Sequence, residues 1–359
     1  MRILHVIHGL SPASGGPPRI ALYLAAAQAA LGHEVHLLSY RDPGCQDQID
    51  AIVQRIPHHE RVTLHALNPP GRLERFIGRA ARAWVREFLR LQPPDIFHLH
   101  CVWDAIDRVS AAEARRAGRP YVLLLNGMLD PWCLAQKRTK KRIALALAHR
   151  RMLDGAAALH CGNESEVAGI KPLGLRSPTV IIPNGVSPEE IAAVPPRGTF
   201  AEAFPKLAGR RYILFLSRLH HKKGLDVLAD AYAKFAPHHG DVDLVVAGPD
   251  GGARAAFEQA ITRAGLLDRV HITGPLYAQH KWAALVDAAC FCLPSHQEGF
   301  SVAITEALAC GCPPIISEGC HFPEVATSGA GIVVPLNVSA LAAALLHAFE
   351  DPRRLEQMS

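Results

Sequence analysis

The sequence has no uninterrupted apolar run of the ~18 residues a membrane-spanning helix requires. Its first residues, Met1-Arg-Ile-Leu-His-Val-Ile, are too short and too soon interrupted for a signal peptide and are expected to form a strand. It has no cysteine framework: nine cysteines is an odd number, and Cys290/Cys292 and Cys310/Cys312 are each separated by one residue, which is not zinc-ligand spacing. Reduced thiols in a cytoplasmic protein are expected. There is no HExxH, and although 20 histidines are present, the adjacent pairs His58-His59, His220-His221 and His238-His239 do not share a helix face. No metal site and no cofactor are expected. There is no GxGxxG and no P-loop. No low-complexity or disordered segment is evident. Charge of either sign is not in great excess: the formal net charge of +5 suits an anionic ligand or an anionic membrane surface and establishes neither. A nucleic-acid partner is not expected, because no recognition motif accompanies the basic residues.

What is present is a regular alternation of short apolar runs with longer helical patterns, the mark of βαβ units and parallel sheets. Strands are predicted over Ile3–His8, Glu34–Ser39, Val62–Ala66, Ile96–His100, Tyr121–Leu125, Ala157–His160 and Val180–Ile182. A second series covers Tyr212–Ser217, Leu244–Ala247, Val270–Thr273, Cys290–Leu293, Pro314–Ile316 and Ile332–Val334. Helices are predicted between most of them, among them Arg19–Leu31, Leu73–Leu91, Gly224–Phe235 and Val302–Cys310. The turn signal Pro183-Asn184-Gly185, followed by Pro188, Pro195, Pro196 and Pro205, separates the two series. The fold class is therefore α/β, two doubly wound domains: residues 1–185, a linker over 186–209, and residues 210–359. Ligands of such sheets bind beyond the carboxyl ends of the strands, and a ligand is expected in a central cleft between two facing domains.

Three places have the chemistry for an anionic ligand bearing hydroxyl groups. Gly15-Gly16 lies between the first strand and the first helix, where backbone N–H groups approach an anion closely; a plain turn is the simpler alternative. Arg218 and Lys223 bracket the carboxyl end of the first strand of the second series, a fork and a point charge suited to a diphosphate rather than a mere surface cluster. Glu298 lies in a glycine loop. Glu306 lies in the apolar helix that follows, among Ile304, Thr305, Ala307, Leu308 and Ala309. With no cation adjacent in sequence, Glu306 is expected either to be a solvated helix residue or to meet a ligand with hydroxyl donors, such as a ribose or hexose.

The order of these elements is a Gly-Gly loop, Gly-His33-Glu-Val at the second strand, Pro-Asn-Gly-Val, Ser-Arg-x4-Lys-Gly and Pro-Ser-x2-Glu-Gly-Phe-x5-Glu-Ala-x-Ala-Cys-Gly. It resembles the GT-B glycosyltransferases of family 4, which are retaining and use nucleotide-sugar donors. The resemblance runs over nearly the whole chain. It implies that Arg218 and Lys223 hold the donor diphosphate and that Glu298, beside the backbone of Gly299, Phe300 and Ser301, binds sugar hydroxyls. It implies that Glu306 binds the ribose, that Gly15 and Gly16 approach the phosphates, and that no metal is needed. His98-Leu-His100-Cys-Val-Trp103 and Asn126-Gly-Met-Leu-Asp-Pro-Trp132 resemble the acceptor side of bacterial polysaccharide enzymes. Many relatives have His or Arg where Asn126 stands, and an amide is neither a cation nor a strong base. His100 is then the better acceptor-side and catalytic candidate, with Trp103 and Asn126 beside it. Relatives end in a helix that crosses back to the first domain, and this helix is expected to be missing here.

Arg72, Arg75, Arg79, Arg82 and Arg86 recur at helical spacing, and Lys137, Arg138, Lys140, Lys141 and Arg142 form a second basic cluster. A basic face suits the inner surface of the cell membrane, or is simply a solvated helix face. The function expected is transfer of a hexosyl unit from a UDP- or GDP-sugar to a saccharide acceptor, lipid-linked or free, in cell-surface polysaccharide synthesis. The alternatives are a GT-B nucleotide-sugar 2-epimerase and an inactive nucleotide-sugar-binding protein. The donor base and sugar and the acceptor are not legible in the sequence.

Overall fold

A computed structural model of the chain describes all 359 residues, apart from the side chains of Ala13 and Pro352. The chain divides into two compact units, Met1–Asn184 and Gly185–Ser359.

The first unit is built on seven strands: β1 (Arg2–Gly9), β2 (Glu34–Tyr40), β3 (Val62–Leu67), β4 (Ile96–His100), β5 (Tyr121–Leu124), β6 (Ala158–Cys161) and β7 (Thr179–Ile181). Their order is β3-β2-β1-β4-β5-β6-β7, and every pairing is parallel. Alternate residues of β1 feed the two faces. Leu4 and Val6 enter the core on one side, Ile3 and Ile7 that on the other.

The second unit has six strands: β8 (Arg211–Leu216), β9 (Val242–Ala247), β10 (Val270–Gly274), β11 (Cys290–Leu293), β12 (Pro314–Ser317) and β13 (Ile332–Val334). Their order is β10-β9-β8-β11-β12-β13, again all parallel. Helices cover both faces, so β9, β11 and β12 are buried at every position. In each sheet the order reverses beside the first strand, between β1 and β4 and between β8 and β11. These are the switch points at which doubly wound sheets bind ligands.

The thirteen predicted strands are all present. Two other expectations are corrected. Residues 186–209 are not a bare linker: they form the helices Pro188–Ala192 and Thr199–Ala203, and Phe200 and Leu207 are buried in the core of the second unit. The single helix predicted over Leu73–Leu91 is two, Arg72–Ile77 and Arg79–Leu91, broken at Gly78 with φ of 65°. A Cβ there would stand 3.0 Å from Val109 Cγ1, so the close approach of the helix Ala105–Arg116 requires glycine. The break divides the basic stripe. Beyond it, Arg82 and Arg86 reach the buried carboxylate of Glu113 at 3.3 and 2.9 Å, so these two arginines clamp one helix to the next.

Candidate functional site

In the second unit, β8 and β11 are hydrogen-bonded neighbours, with Ile213 opposite Cys290. The loops that leave their carboxyl ends therefore run side by side. Gly224, with φ of 68°, packs so tightly on the second loop that a Cβ would lie 1.8 Å from Pro294 O. His296 N–H donates to Lys222 O at 2.8 Å, and Glu298 N–H donates to Gly319 O at 2.8 Å. The two motifs thereby meet: Lys223 Nζ is 2.5 Å from Glu298 Oε1, to which Ser295 Oγ also donates at 2.5 Å.

Arg218, partly buried in the same loop, has no hydrogen bond or ion pair from its side chain among the described residues. Burial lowers the His220 pKa, and the neighbouring His221, Arg218, Lys222 and Lys223 add to the shift. Ser301 leads into the helix Val302–Ala309 without a side-chain cap, leaving first-turn N–H groups at a site of positive dipole. Phe300 packs on Phe322 with ring centroids 5.3 Å apart. Gln297 Oε1 and Thr305 Oγ1 are buried without a hydrogen-bond partner among the described residues, an arrangement that a ligand with donors satisfies.

Glu306 is buried, but not without a counter-charge as its sequence neighbours suggest. Lys281, from the helix Ala278–Asp287, donates to Glu306 Oε1 at 2.7 Å, and the Lys281 ammonium also lies 4.0 Å from the Trp282 ring centroid. The cation comes from 25 residues away, across the packing of two helices.

In the first unit the Gly15-Gly16 loop is poorer in donors than expected. Gly15, with φ of 88°, precedes the helix Gly16–Ala30, but Pro17 and Pro18 occupy two of its first positions and have no N–H to offer an anion. Asn126 has φ of 52°, a left-handed conformation in which Asn is among the favoured residues. The left-handed backbone at this position suits an amide side chain. The next residue, Gly127, donates its N–H to Glu166 Oε1 at 2.6 Å, while Gly162 N–H binds the other oxygen at 2.7 Å. Burial raises the Glu166 pKa, against the pull of those two N–H groups. Trp103 has its Nε1 buried without a hydrogen-bond partner among the described residues and sets its ring edge-on to His149 at 5.5 Å.

His100 is fully buried, and its Nε2 is 2.9 Å from His5 Nδ1. It is held inside the unit and not presented to solvent. His5, Glu166 and Lys281 were not singled out from the sequence. Glu166 had a signal in Asn163-x-x-Glu166, a helix-capping pattern in which Asn163 Oδ1 accepts from Glu166 N–H at 2.8 Å. His5 and Lys281 had none, because their partners are distant in sequence.

Two parallel doubly wound sheets, each reversing its order beside its first strand, are the architecture of the GT-B glycosyltransferases. Residues 15–185 match the family described as Glycosyl transferase 4-like domain, and residues 197–359 match Glycosyl transferases group 1. Together these matches span nearly the whole chain, which belongs to the family 4 type of GT-B glycosyltransferases and is an enzyme of the hexosyltransferase class. It is 28% identical over 365 residues to a GDP-mannose-dependent alpha-(1-6)-phosphatidylinositol dimannoside mannosyltransferase of Mycobacterium tuberculosis, covering 99% of this chain and 89% of that one. A shorter match, 33% identical over 141 residues, is to a 2-deoxystreptamine N-acetyl-D-glucosaminyltransferase of Niallia circulans and covers 38% of this chain and 36% of that protein. Among solved structures, Anabaena HepE in complex with UDP and glucose superposes with a TM-score of 0.74 at 20% identity, covering 100% of this chain and 92% of that one.

Proposed function

We propose that this protein transfers a hexosyl unit from a UDP- or GDP-sugar to a saccharide acceptor, free or lipid-linked, in cell-surface polysaccharide synthesis, and that donor binding needs no metal. The observation that carries the proposal is the junction of Lys223 and Glu298 at 2.5 Å beside Arg218, at the switch point of the second sheet. Departure of a nucleoside diphosphate develops negative charge on its phosphates. Arg218, Lys223 and the N-terminus of the helix Val302–Ala309 are the groups here that stabilise it. Glu298 accepts hydrogen bonds from the hydroxyls of the transferred sugar, and Glu306 accepts them from the ribose. A donor sugar hydroxyl takes over as partner to Glu298 and releases Lys223 toward the phosphates.

Relatives support the substrate class: the Mycobacterium enzyme is GDP-mannose-dependent and acts on a phosphatidylinositol dimannoside, a lipid-borne acceptor. No helix among the described residues is long and apolar enough to cross a membrane. A peripheral position on the inner membrane face has a different support from the arginine stripe. Leu73, Phe76 and Ile77 are 70%, 73% and 45% exposed beside Arg72 and Arg75, and Leu147 is 83% exposed near Arg142. Apolar tips among cations are the composition of an interfacial anchor.

The test is a thermal-shift panel of UDP- and GDP-sugars with and without EDTA, followed by nucleotide release with oligosaccharide and lipid-linked acceptors. Acceptor-dependent release of UDP or GDP is the expected result. Conversion of the free donor to its 2-epimer, or donor binding with no nucleotide released under any condition, rejects the proposal.

A further inference from the structure

His5 on β1 and His98 on β4 are register partners in adjacent strands, and His100 lies two residues further along β4 on the same face. All three are buried, at 0%, 8% and 0% exposure. One ring nitrogen from each can be chosen so that all lie within 4.8 Å of one another. We infer that His5, His98 and His100 form a site for a zinc-class divalent cation within the first unit.

The hydrogen bonds point the same way. Gln28 Oε1 lies 2.8 Å from His5 Nε2, which is therefore the protonated nitrogen, and His5 Nδ1 keeps its lone pair. A side-chain oxygen that accepts from the far ring nitrogen and so fixes the tautomer is the usual companion of a metal-binding imidazole. His5 Nδ1 faces His100 Nε2 at 2.9 Å; with a cation between them both nitrogens are ligands, and the proton passes to His100 Nδ1, which is itself buried without a hydrogen-bond partner among the described residues. His98 Nε2 is buried with no hydrogen-bond partner among the described residues. An orphaned, buried acceptor is costly in a finished core and is accounted for by an ion. Burial also keeps all three rings neutral near pH 7, the form that ligates.

Ligand nitrogens around tetrahedral zinc stand about 3.3 Å apart, given Zn–N bonds of ~2.0–2.1 Å. The His5–His100 pair, at 2.9 Å in its hydrogen bond, opens slightly to admit the ion, and the third nitrogen, within 4.8 Å of the others, approaches it. Three imidazoles and no carboxylate select zinc, cobalt, nickel or copper over magnesium, calcium or manganese, and leave a fourth position for water. A bound ion ties β1 to β4 at the end from which Cys101–Asp104 departs.

The experiment uses the untagged full-length chain, stripped with EDTA and desalted. Titration with Co²⁺ is followed by the visible bands of a tetrahedral complex, Zn²⁺ stoichiometry by native mass spectrometry, and ligand count by X-ray absorption of the zinc form. One equivalent, tetrahedral bands and three imidazoles are expected. Zinc at a hundredfold excess over its Kd should raise Tm by roughly 5 °C, and Mg²⁺ should not. His98→Gln and His100→Gln should lose the Co²⁺ bands, while His36→Gln, on the opposite face, and His220→Gln, on the second unit, keep them. No Co²⁺ bands in the parent, fewer than three imidazoles, or loss of binding in His220→Gln overturns the inference. The parent measurements decide it even if the His98 and His100 variants do not fold. None of these readouts depends on glycosyl transfer.

Discussion

Lys281 Nζ lies 2.7 Å from Glu306 Oε1, and the two side chains are only 9% and 3% exposed. Each charge is buried because the other is there. Removing one partner of such a pair typically costs about 3–5 kcal/mol, since the survivor stays desolvated without that counter-charge. Lys281→Met should lower unfolding stability by that amount in urea titrations, and Lys281→Met combined with Glu306→Leu should recover most of it. If Glu306 also holds the ribose, Glu306→Gln should weaken UDP or GDP binding by roughly ten- to a hundredfold, the value of a hydrogen bond to a charged acceptor. Calorimetry showing unchanged affinity in a folded Glu306→Gln protein would confine Glu306 to its partnership with Lys281.

Arg218, in the loop that follows β8, makes no side-chain hydrogen bond or ion pair among the described residues. Arg218→Ala should reduce turnover by about 10²–10³, the usual effect of removing a preorganised donor aimed at developing charge. Melting temperature should hardly change, because no side-chain hydrogen bond or ion pair is lost in the free protein. Addition of EDTA should leave donor affinity as it was. Loss of donor binding in EDTA, with rescue by Mg²⁺ or Mn²⁺, would contradict the proposed mode of phosphate binding.

His149 is buried against Trp103, and desolvation, with help from the Arg108 charge, lowers its pKa to about 4. An unfolded histidine titrates near 6.5, so as pH falls the unfolded chain takes up the proton first. The neutral ring's contribution is complete above pH ~6.5 and is lost between there and pH ~4. At pH 5 the loss from this residue comes to about 2 kcal/mol. Urea unfolding of the parent should therefore weaken between pH 7 and 5 by about that much more than unfolding of His149→Phe. Equal slopes for the two proteins would show that His149 is not held neutral.

The proposed membrane face separates two kinds of arginine. Arg75 lies in Arg72–Ile77 beside exposed Leu73 and Phe76, whereas Arg82 is spent on Glu113. Phe76→Ser with Arg75→Gln should reduce sedimentation with anionic vesicles at low salt, by about 1 kcal/mol for the lost charge and more for the lost ring, with little change in Tm. Arg82→Gln should do the reverse, lowering Tm and leaving vesicle binding alone. Equal vesicle binding by parent and the Phe76/Arg75 variant would dismiss the anchor.

The strands were legible because parallel strands covered on both faces are continuous apolar runs bounded by turns, as in Cys290–Leu293 and Val242–Ala247. The place of the loops over residues 217–224 and 294–301 was legible for a related reason: a basic or glycine motif directly after such a run must lie at a carboxyl end. Periodicity failed at Gly78, where spacing continues across a residue whose backbone turns left-handed. It failed again at Glu306, because helix packing and not sequence proximity brings in Lys281. The three histidines were hidden by topology. His5 and His98 are 93 residues apart, and only the adjacency of β1 and β4 makes them neighbours.

The contact of Gly224 with Pro294 O has a practical consequence for altering this enzyme. The two loops leave adjacent buried strands, and they are fitted to each other with no space between their backbones. Exchange of residues 217–224 alone, or of 294–301 alone, with those of a relative would bring together surfaces that never evolved in contact. A chimera intended to switch donor preference must therefore import both segments at once. With both replaced, the buried sheet beneath can remain untouched.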